Sequence, residues 1–401
     1  MRNTNIIMTK HIIHPAILFM TLMLCPTLGW AEGIKLLHGP YLDMVQEDNA
    51  TIVWVADKPS VGWVEVAPDD GTDFYSVARP RFHDTNIGIK RTSLIHSVKL
   101  TNLKPGTRYR YRVYAQEVLS HKGAKVRYGD VVATDVFNKK PLCFQTNDRR
   151  QTETSFLVLN DIHERNDVLQ KLLKNSSYKD KDMIFYAGDM ISHFTHDTTV
   201  FKGFMDTSIK LFAQQKSWYY VRGNHETRGE WANRFHEYFC TQQPHLYFTV
   251  RQGPILFICL DTGEDKADTD IEYAGITDYD NYRTEQARWL KEIVASNEFK
   301  EAKYRVVIAH MPPADTQDAW HGQREVTKKL LPPLNKAGIN LMICGHMHEH
   351  QYIEPNDSHD YPILVNSNNS SVTAQTKNGQ LDVKVLDLNG NTTFHKTYSA
   401  R

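Results

Sequence analysis

Asp161, His163, Asp189, Asn224, His310, His346 and His348 are of the types that suit a two-metal centre. Carboxylate, imidazole and amide groups ligate borderline metals such as zinc, iron and manganese. Asp161-x-His163 and His346-x-His348 each put two side chains on the same side of an extended segment. A carboxylate such as Asp189 has two oxygens and can bridge ions about 3.5–4 Å apart, the separation used in two-metal phosphoryl chemistry. Singly, the pieces carry little weight. With 19 His in the chain, a lone His-x-His is more often solvated or structural than a ligand. Gly188-Asp189 alone is nearly uninformative, Asn224 alone is a turn residue, and His310 alone is a satisfied core histidine. Their shared setting changes that weight.

Each piece directly follows an apolar run. Ser155–Asn160 leads into Asp161-Ile-His163, and Met183–Ala187 into Gly188-Asp189. Trp218–Val221 leads into Gly223-Asn-His-Glu226, Tyr304–Ala309 into His310, and Leu341–Cys344 into Gly345-His-Met-His348. Between the runs, apolar residues recur at helical spacing, as at Val168, Leu169, Leu172 and Leu173. Further helices are predicted near 198–215, 229–239, 284–296 and 324–337, and strands over 246–250 and 255–260. Strands alternating with helices imply mostly parallel, buried pairing. In such sheets sites form outside the carboxyl ends of the strands, so the five strand ends are expected to converge on one site. The glycines beside the ligands let the backbone turn sharply there.

The first half reads differently. Residues from about Ile34 to Asn138 are β-rich, with strands at Thr51–Val55, Gly62–Val66 and Ser97–Leu100. In the next strand Tyr109, Tyr111 and Val113 alternate with Arg108, Arg110 and Arg112, the period-two pattern of a half-buried strand. Regularly spaced short strands predict a sandwich. Leu103-Lys-Pro-Gly-Thr-Arg-Tyr109 resembles the corner of fibronectin type III domains, where a Tyr hydroxyl ties back to the backbone, and Trp54 reads as the core Trp. This half holds no catalytic constellation. Thr146–Thr154 reads as a polar linker, and the tail from Tyr361 to Ser399 as short strands with Asn/Gly turns.

The chain has 401 residues, which suggests two domains. Hydrophobic and charged fractions of 41% and 23% are those of an ordinary globular protein. Lys plus Arg balance Asp plus Glu at 47 each, so no global basic field argues for nucleic acid as a partner. At the N-terminus, Arg2, Lys10, His11 and His14 precede an apolar run from about Ala16 to Leu24, and Gly29-Trp-Ala31 supplies a small-x-small cleavage pattern. Residues 1–31 are therefore expected to be a signal peptide, the protein secreted or periplasmic, and no stable span left after cleavage. A short membrane anchor is one alternative. A lipid anchor through Cys25 is another, although Leu24 stands where a small residue is wanted. Cys259 and Cys344 sit in apolar runs and read as buried thiols. No CxxC pair is present, so no thiolate zinc site is expected.

Asp161-x-His163, Gly188-Asp189, Gly223-Asn224-His225-Glu226, His310 and Gly345-His346-x-His348 resemble the signature of the calcineurin-like metallophosphoesterase superfamily. The β-rich half resembles the fibronectin-like N-terminal domain of purple acid phosphatases. The resemblance implies a four-layer αββα sandwich over residues 148–401, preceded by an all-β sandwich over 32–147. It implies two transition-metal ions (Fe, Mn or Zn), one held by Asp161, His163, Asp189 and His348, the other by Asp189, Asn224, His310 and His346. His225 would contact the phosphate. The implied reaction is hydrolysis of small phosphomonoesters or phosphodiesters by a hydroxide held on the metals. Arg222 and His193 flank the motifs, and His321 lies in a polar loop. They are candidate substrate contacts, with a structural role as the alternative. One departure matters. Purple acid phosphatases have Gly where this chain has His163, and Tyr where it has Ser192, so the iron-tyrosinate colour is not expected. Two alternatives remain: a nuclease or nucleotide diesterase on the same fold, and a glycan-binding or adhesion protein with a vestigial catalytic half. A missing ligand would favour the latter, and none is missing.

Overall fold

The computed structural model describes residues 32–241 and 244–401; the expected signal segment, with Cys25, lies outside the described residues. The first half is a seven-stranded antiparallel assembly of β1 (Leu36–Asp43), β2 (Ala50–Pro68), β3 (Arg81–His83), β6 (Ser93–Leu100), β7 (Arg108–Lys122), β8 (Lys125–Ala133) and β9 (Leu142–Gln145). A two-residue pair, β4 (Thr85–Asn86) and β5 (Ile89–Lys90), stands apart. The two strands expected at 51–55 and 62–66 are one 19-residue strand. Its first part pairs with β1 and β6, and from Ser60 onward it pairs with β7 and, at residues 63–65, with β3. Pro59 falls at the change of partners, where a missing N–H leaves no ladder bond unmade. Both parts face one core of Ile52, Trp54, Val64, Tyr111, Val113 and Phe144, which makes the assembly a sandwich. Tyr109 Oη accepts from the Lys104 N–H at 2.9 Å, the corner tie expected from sequence.

A hydrogen-bonded chain crosses the interior of this sandwich. Ser60 Oγ lies 2.8 Å from His96 Nε2, and His96 Nδ1 lies 3.0 Å from Asp84 Oδ2. The order is that of a serine-hydrolase triad. Ser60 and His96 are both fully buried, so no substrate reaches Oγ. The chain instead satisfies polar groups that the core would otherwise strand.

The second half contains two six-stranded sheets. The first comprises β10 (Ser155–Leu159), β11 (Met183–Ala187), β12 (Ser217–Val221), β19 (Ser370–Lys377), β20 (Gln380–Asp387) and β21 (Thr392–Ser399), in the order β12-β11-β10-β19-β20-β21. β10, β11 and β12 run parallel, and β19 pairs antiparallel with β10. The second comprises β13 (Phe248–Gln252), β14 (Ile255–Leu260), β15 (Tyr304–Ala309), β16 (Leu341–Cys344), β17 (Gln351–Ile353) and β18 (Ile363–Val365), in the order β13-β14-β15-β16-β18-β17. Its β14, β15, β16 and β18 are parallel. Phe156, Phe185, Phe257, Ile308, Ile343 and Val372 fill the space between the sheets. Helices cover the two outer faces, giving the expected αββα layering. Cys259 and Cys344 are buried free thiols, as expected.

On the first sheet, α1 (Asn166–Asn175) buries Leu169, Leu172 and Leu173, an i, i+3, i+4 stripe. A helical run over 197–213 follows, in which α2 (Asp197–Val200) and α3 (Asp206–Ser208) alternate with two π-type stretches. The helix expected near 229–239 reduces to a 3-10 turn and α4 (Phe235–Tyr238). On the second sheet, α5 (Tyr279–Ala295) begins five residues before the expected start at 284. Its early turns bury polar side chains that apolar periodicity cannot register. Arg283 donates to Thr262 O at 2.8 Å, and Gln286 Nε2 donates to Asp261 O at 2.7 Å. α6 (Asn297–Glu301) follows. The helix expected over 324–337 is two, α7 (His321–Lys329) and α8 (Leu331–Leu334), because Pro332 and Pro333 lack the N–H groups to continue the first. The sandwich meets the first sheet through backbone acceptors. Trp218 Nε1 donates to Leu42 O at 2.6 Å, Tyr219 Oη to Val45 O at 2.6 Å, and Tyr111 Oη to Gln214 O at 2.7 Å. Among the described residues no helix is long and apolar enough to cross a membrane.

Candidate metal centre

The five expected strand ends do meet. Asp161 and His163 follow β10, Asp189 follows β11 and Asn224 follows β12, all on the first sheet. His310 follows β15, and His346 and His348 follow β16, on the second. The backbone at these points differs from the extended Asp-x-His and His-x-His segments expected. Asp161 (φ 52°), His163 (φ 45°), Asp189 (φ 52°), His346 (φ 72°) and His348 (φ 59°) all lie in the left-handed region, which side-chain-bearing residues rarely occupy. Such strain collects where surrounding structure imposes it, above all at functional sites. The neighbouring glycines show the crowding. A Cβ on Gly223 would lie 2.2 Å from Asp189 Oδ1, and one on Gly345 2.5 Å from Asp161 Oδ2.

Two groups of donor atoms result. In one, His348 Nε2 lies 3.3 Å from both Asp161 Oδ1 and His163 Nε2. In the other, His310 Nε2 lies 3.1 Å from Asp189 Oδ2 and 3.0 Å from Asn224 Oδ1, and His346 Nδ1 lies 3.1 Å from the same amide oxygen. Asp189 Oδ2 faces both groups, being 3.9 Å from His163 Nε2. His225 Nε2 is also 3.9 Å from Asp189 Oδ2. Its geometry thus allows a third grouping of His163, Asp189 and His225.

Outer hydrogen bonds fix how these atoms point. His310 Nδ1 donates to Ala187 O at 2.8 Å, which leaves Nε2, aimed at Asp189 and Asn224, as the nitrogen a metal would take once it displaces the proton there. His225 Nδ1 is held the same way by Ser192 O at 2.9 Å, and its Nε2 receives an N–H from Arg228 Nη1 at 3.3 Å. A cationic donor at that nitrogen opposes a ligand role for His225. Asp161 Oδ2 accepts from Asn160 Nδ2 at 2.7 Å and from the His346 N–H at 2.9 Å. Glu226, fully buried, accepts from the N–H groups of Gly223, Asp189, Met190 and Ile191 and from Tyr220 Oη. One carboxylate thereby ties the loop after β11 to the loop after β12.

The site attracts positive charge. Burial alone would depress the imidazole pKa of His310, but Asp189 and Asp161 outweigh it and raise it to about 10. Burial also works to raise the Asp189 carboxyl, and is outweighed by His310 and His225, which hold it well below the usual range. His346, away from direct carboxylate contact, is pushed down to about 4 by burial and by His310. The donor set fits a metal pair. Asp161 Oδ1 is buried without a hydrogen-bond partner. The Asn224 amide oxygen has two imidazole nitrogens against it, and His163 and His348 bring two more nitrogens together. A cation in each group would satisfy these lone pairs together.

Of the three candidate substrate contacts, His193 lies near His225, while Arg222 and His321 are engaged by carboxylates. Arg222 is buried in a two-pronged pair with Asp261, at 2.7 Å and 3.3 Å. Nε2 of His321 lies against both oxygens of Asp280, at 2.9 Å and 3.0 Å. His193 is exposed, its ring 6.2 Å from that of His225. Ser192, where a Tyr would stand in purple acid phosphatases, bonds to Glu164 through both its N–H and its hydroxyl. Three residues that sequence reasoning missed complete the surroundings: Arg228, Glu264 and Asp265. Arg228 Nη2 lies 3.0 Å from Glu264 and 3.3 Å from Asp265, while its Nε lies 3.1 Å from both Glu264 and Tyr273 Oη. Two cues were available: Arg228 is four residues beyond Asn224, and Glu264-Asp265 closely follows the apolar run of β14.

A family model described as calcineurin-like phosphoesterase matches residues 154–350, and one described as the purple acid phosphatase N-terminal domain matches residues 39–132. Purple acid phosphatase 21 of Arabidopsis thaliana is 24% identical over 276 residues, which cover 65% of this chain and 54% of the relative. The chain thus spans about half the length of that curated relative. The solved structure of purple acid phosphatase PPD1 from yellow lupin (Lupinus luteus) seeds is similar at a TM-score of 0.63 and 12% identity, over 89% of this chain and 73% of that one. At such identity the likeness shows a common fold.

Proposed function

We propose that this chain, which carries a calcineurin-like phosphoesterase domain behind a purple acid phosphatase N-terminal domain, hydrolyses phosphomonoesters or phosphodiesters at a centre of two transition-metal ions. Asp161, His163, Asp189 and His348 would hold one ion, and Asp189, Asn224, His310 and His346 the other. The observation that carries this reading is the position of Asp189 Oδ2 between two groups of imidazole nitrogens. Two such ions, when bound, acidify a water and neutralise phosphoryl charge. The chain's own residues supply the rest. Ser192 O holds His225 Nδ1 so that Nε2 faces the centre; once it gives up the Arg228 N–H and takes a proton, Nε2 would donate to a phosphoryl or leaving oxygen. Glu226 holds the loops that carry Asp189 and Asn224 in one arrangement.

We assign residues 32–147 to the β-sandwich domain and 148–401 to the catalytic domain, and residues 1–31 to an export signal. With Ser192 in place of Tyr, iron-loaded protein should lack the purple tyrosinate band. Elemental analysis combined with a screen of phosphomonoesters, phosphodiesters and nucleotides tests the assignment. It stands if the protein binds close to two metals per chain and loses activity on chelation, and falls if full activity persists without metal.

A further inference from the structure

A cavity of about 800 Å³ opens beside His225, between the loop that begins at Thr227 and the segment leading into α5. Its volume is that of a small-molecule site. His193 and Arg228, which both lie next to the His225 ring, form part of its wall. Ala232, Tyr273, Ile276 and Tyr282 supply apolar and aromatic surface. The two tyrosine hydroxyls are turned to partners within the protein: Tyr282 Oη donates to Asp261 at 2.9 Å, and Tyr273 Oη accepts from Arg228.

The charges in the wall are as informative as its rings. Arg222 and Arg228 are both in the lining, and each is already committed to carboxylates, Asp261 for one and Glu264 with Asp265 for the other. Glu230, Glu272 and Asp278 also line the cavity, and of these Glu272 is paired, with Lys266 at 2.8 Å. A second phosphate on the substrate would therefore meet acidic groups and arginines whose charge is already spent. A flat uncharged group would meet ring faces and aliphatic carbon.

We propose that this cavity seats the alcohol portion of the substrate and selects a phosphoester with a single phosphate on a bulky, flat, uncharged alcohol, against small polyol phosphates and polyphosphates. The proposal rests on the phosphoesterase reading. Its reaction is ordinary hydrolysis: water adds to phosphorus, the P–O bond to the alcohol breaks, and the alcohol leaves with a proton.

The test compares 2-naphthylmethyl phosphate with ethyl phosphate on the full-length, metal-loaded protein, since both release primary alcohols of similar acidity. The parent should favour the naphthylmethyl ester at least tenfold in kcat/KM, and Ala232→Trp, which fills the cavity, should bring that ratio close to one. Ile276→Asp offers a second variant at an exposed position on the rim, safe for folding, and should lower the same ratio several-fold. Glu230→Lys should raise kcat/KM for adenosine triphosphate relative to the monophosphate several-fold. Melting temperatures establish that each variant is folded. Equal use of both esters by the parent overturns the proposal, as does an equal loss on both esters in folded Ala232→Trp and Ile276→Asp. Failure to hydrolyse any phosphoester when metal-loaded overturns the phosphoesterase reading itself, and this inference with it.

Discussion

Asp265 Oδ2 accepts a hydrogen bond from Asn224 Nδ2 at 3.1 Å, and that bond turns the Asn224 amide oxygen toward His310 and His346. A carboxamide has two similar ends, and only one of them can ligate a cation. The outer carboxylate therefore decides which end faces the centre. Arg228 braces Asp265 from the other side, at 3.3 Å, and also reaches His225. One short chain of contacts thus orients both a candidate ligand and the candidate phosphate contact.

Asp265→Ala should lower metal affinity or activity about 10–100-fold, the usual effect of removing an outer partner of a ligand. Competition with a graded series of chelators measures the affinity directly. A folded Asp265→Ala protein that holds its metals as tightly as the parent would show that Asn224 needs no orienting partner.

Asp189→Ala should lose at least one metal and nearly all turnover, because its Oδ2 faces both groups. His225→Ala should keep both metals and lose roughly 10²–10³ in kcat, the typical cost of one preorganised donor. If His225 protonates the leaving oxygen, the loss will be large for alkyl esters and small for nitrophenyl esters. Metal loss in His225→Ala would instead place that residue among the ligands.

Asp84→Ala should destabilise the β-sandwich by about 1–3 kcal/mol, because the buried His96 Nδ1 is left without an acceptor. Urea unfolding followed by tryptophan fluorescence measures it. Ser60→Ala should leave every hydrolytic activity unchanged, and loss of carboxyl-ester hydrolysis in that variant would contradict the structural role given to the chain.

Stability should fall as pH rises from about 4 to about 8 through Asp43. Burial raises its carboxyl from 3.8 to about 8, against hydrogen bonds from the N–H groups of Cys240 and Met44. The sign follows from proton counting. In that window the folded state keeps a proton that the unfolded state releases, so the contribution is complete below 3.8 and is lost as pH climbs through 8. Asp43→Asn has nothing to titrate there. The slope of unfolding free energy against pH should be shallower in Asp43→Asn than in the parent, and an identical slope would mean that Asp43 is charged in the fold.

Much of the candidate site is visible in the sequence because each part is local: an apolar strand, then a ligand within a few residues. Asp161, Asp189, Asn224, His310 and His346 all follow that rule. Its surroundings are not local. Glu264 and Asp265 lie 36 and 37 residues from Arg228 in the chain, and nothing in their types separates them from ordinary loop acids. The left-handed turns at Asp161 and His346 were also invisible, since an extended segment and a tight turn both place alternate residues near one another. In the sandwich, Asp57-Lys-Pro59 has the composition of a turn, yet β2 runs straight through it, because pairing on both sides outweighs local preference.

Strand β10 lies between β11, its neighbour in sequence, and β19, where Ser155 pairs with Gln375. Every candidate ligand is present once the chain reaches His348, but the far edge of β10 has no partner until β19 exists. At synthesis rates of about 5–20 residues per second, that edge stays open for roughly 10–40 s. An unpaired, apolar Phe-Leu-Val-Leu edge is a template for joining the wrong chain. A fragment cut after His350 would contain the whole ligand set and be prone to aggregate, so the shortest piece with the chemistry is not the shortest piece that folds.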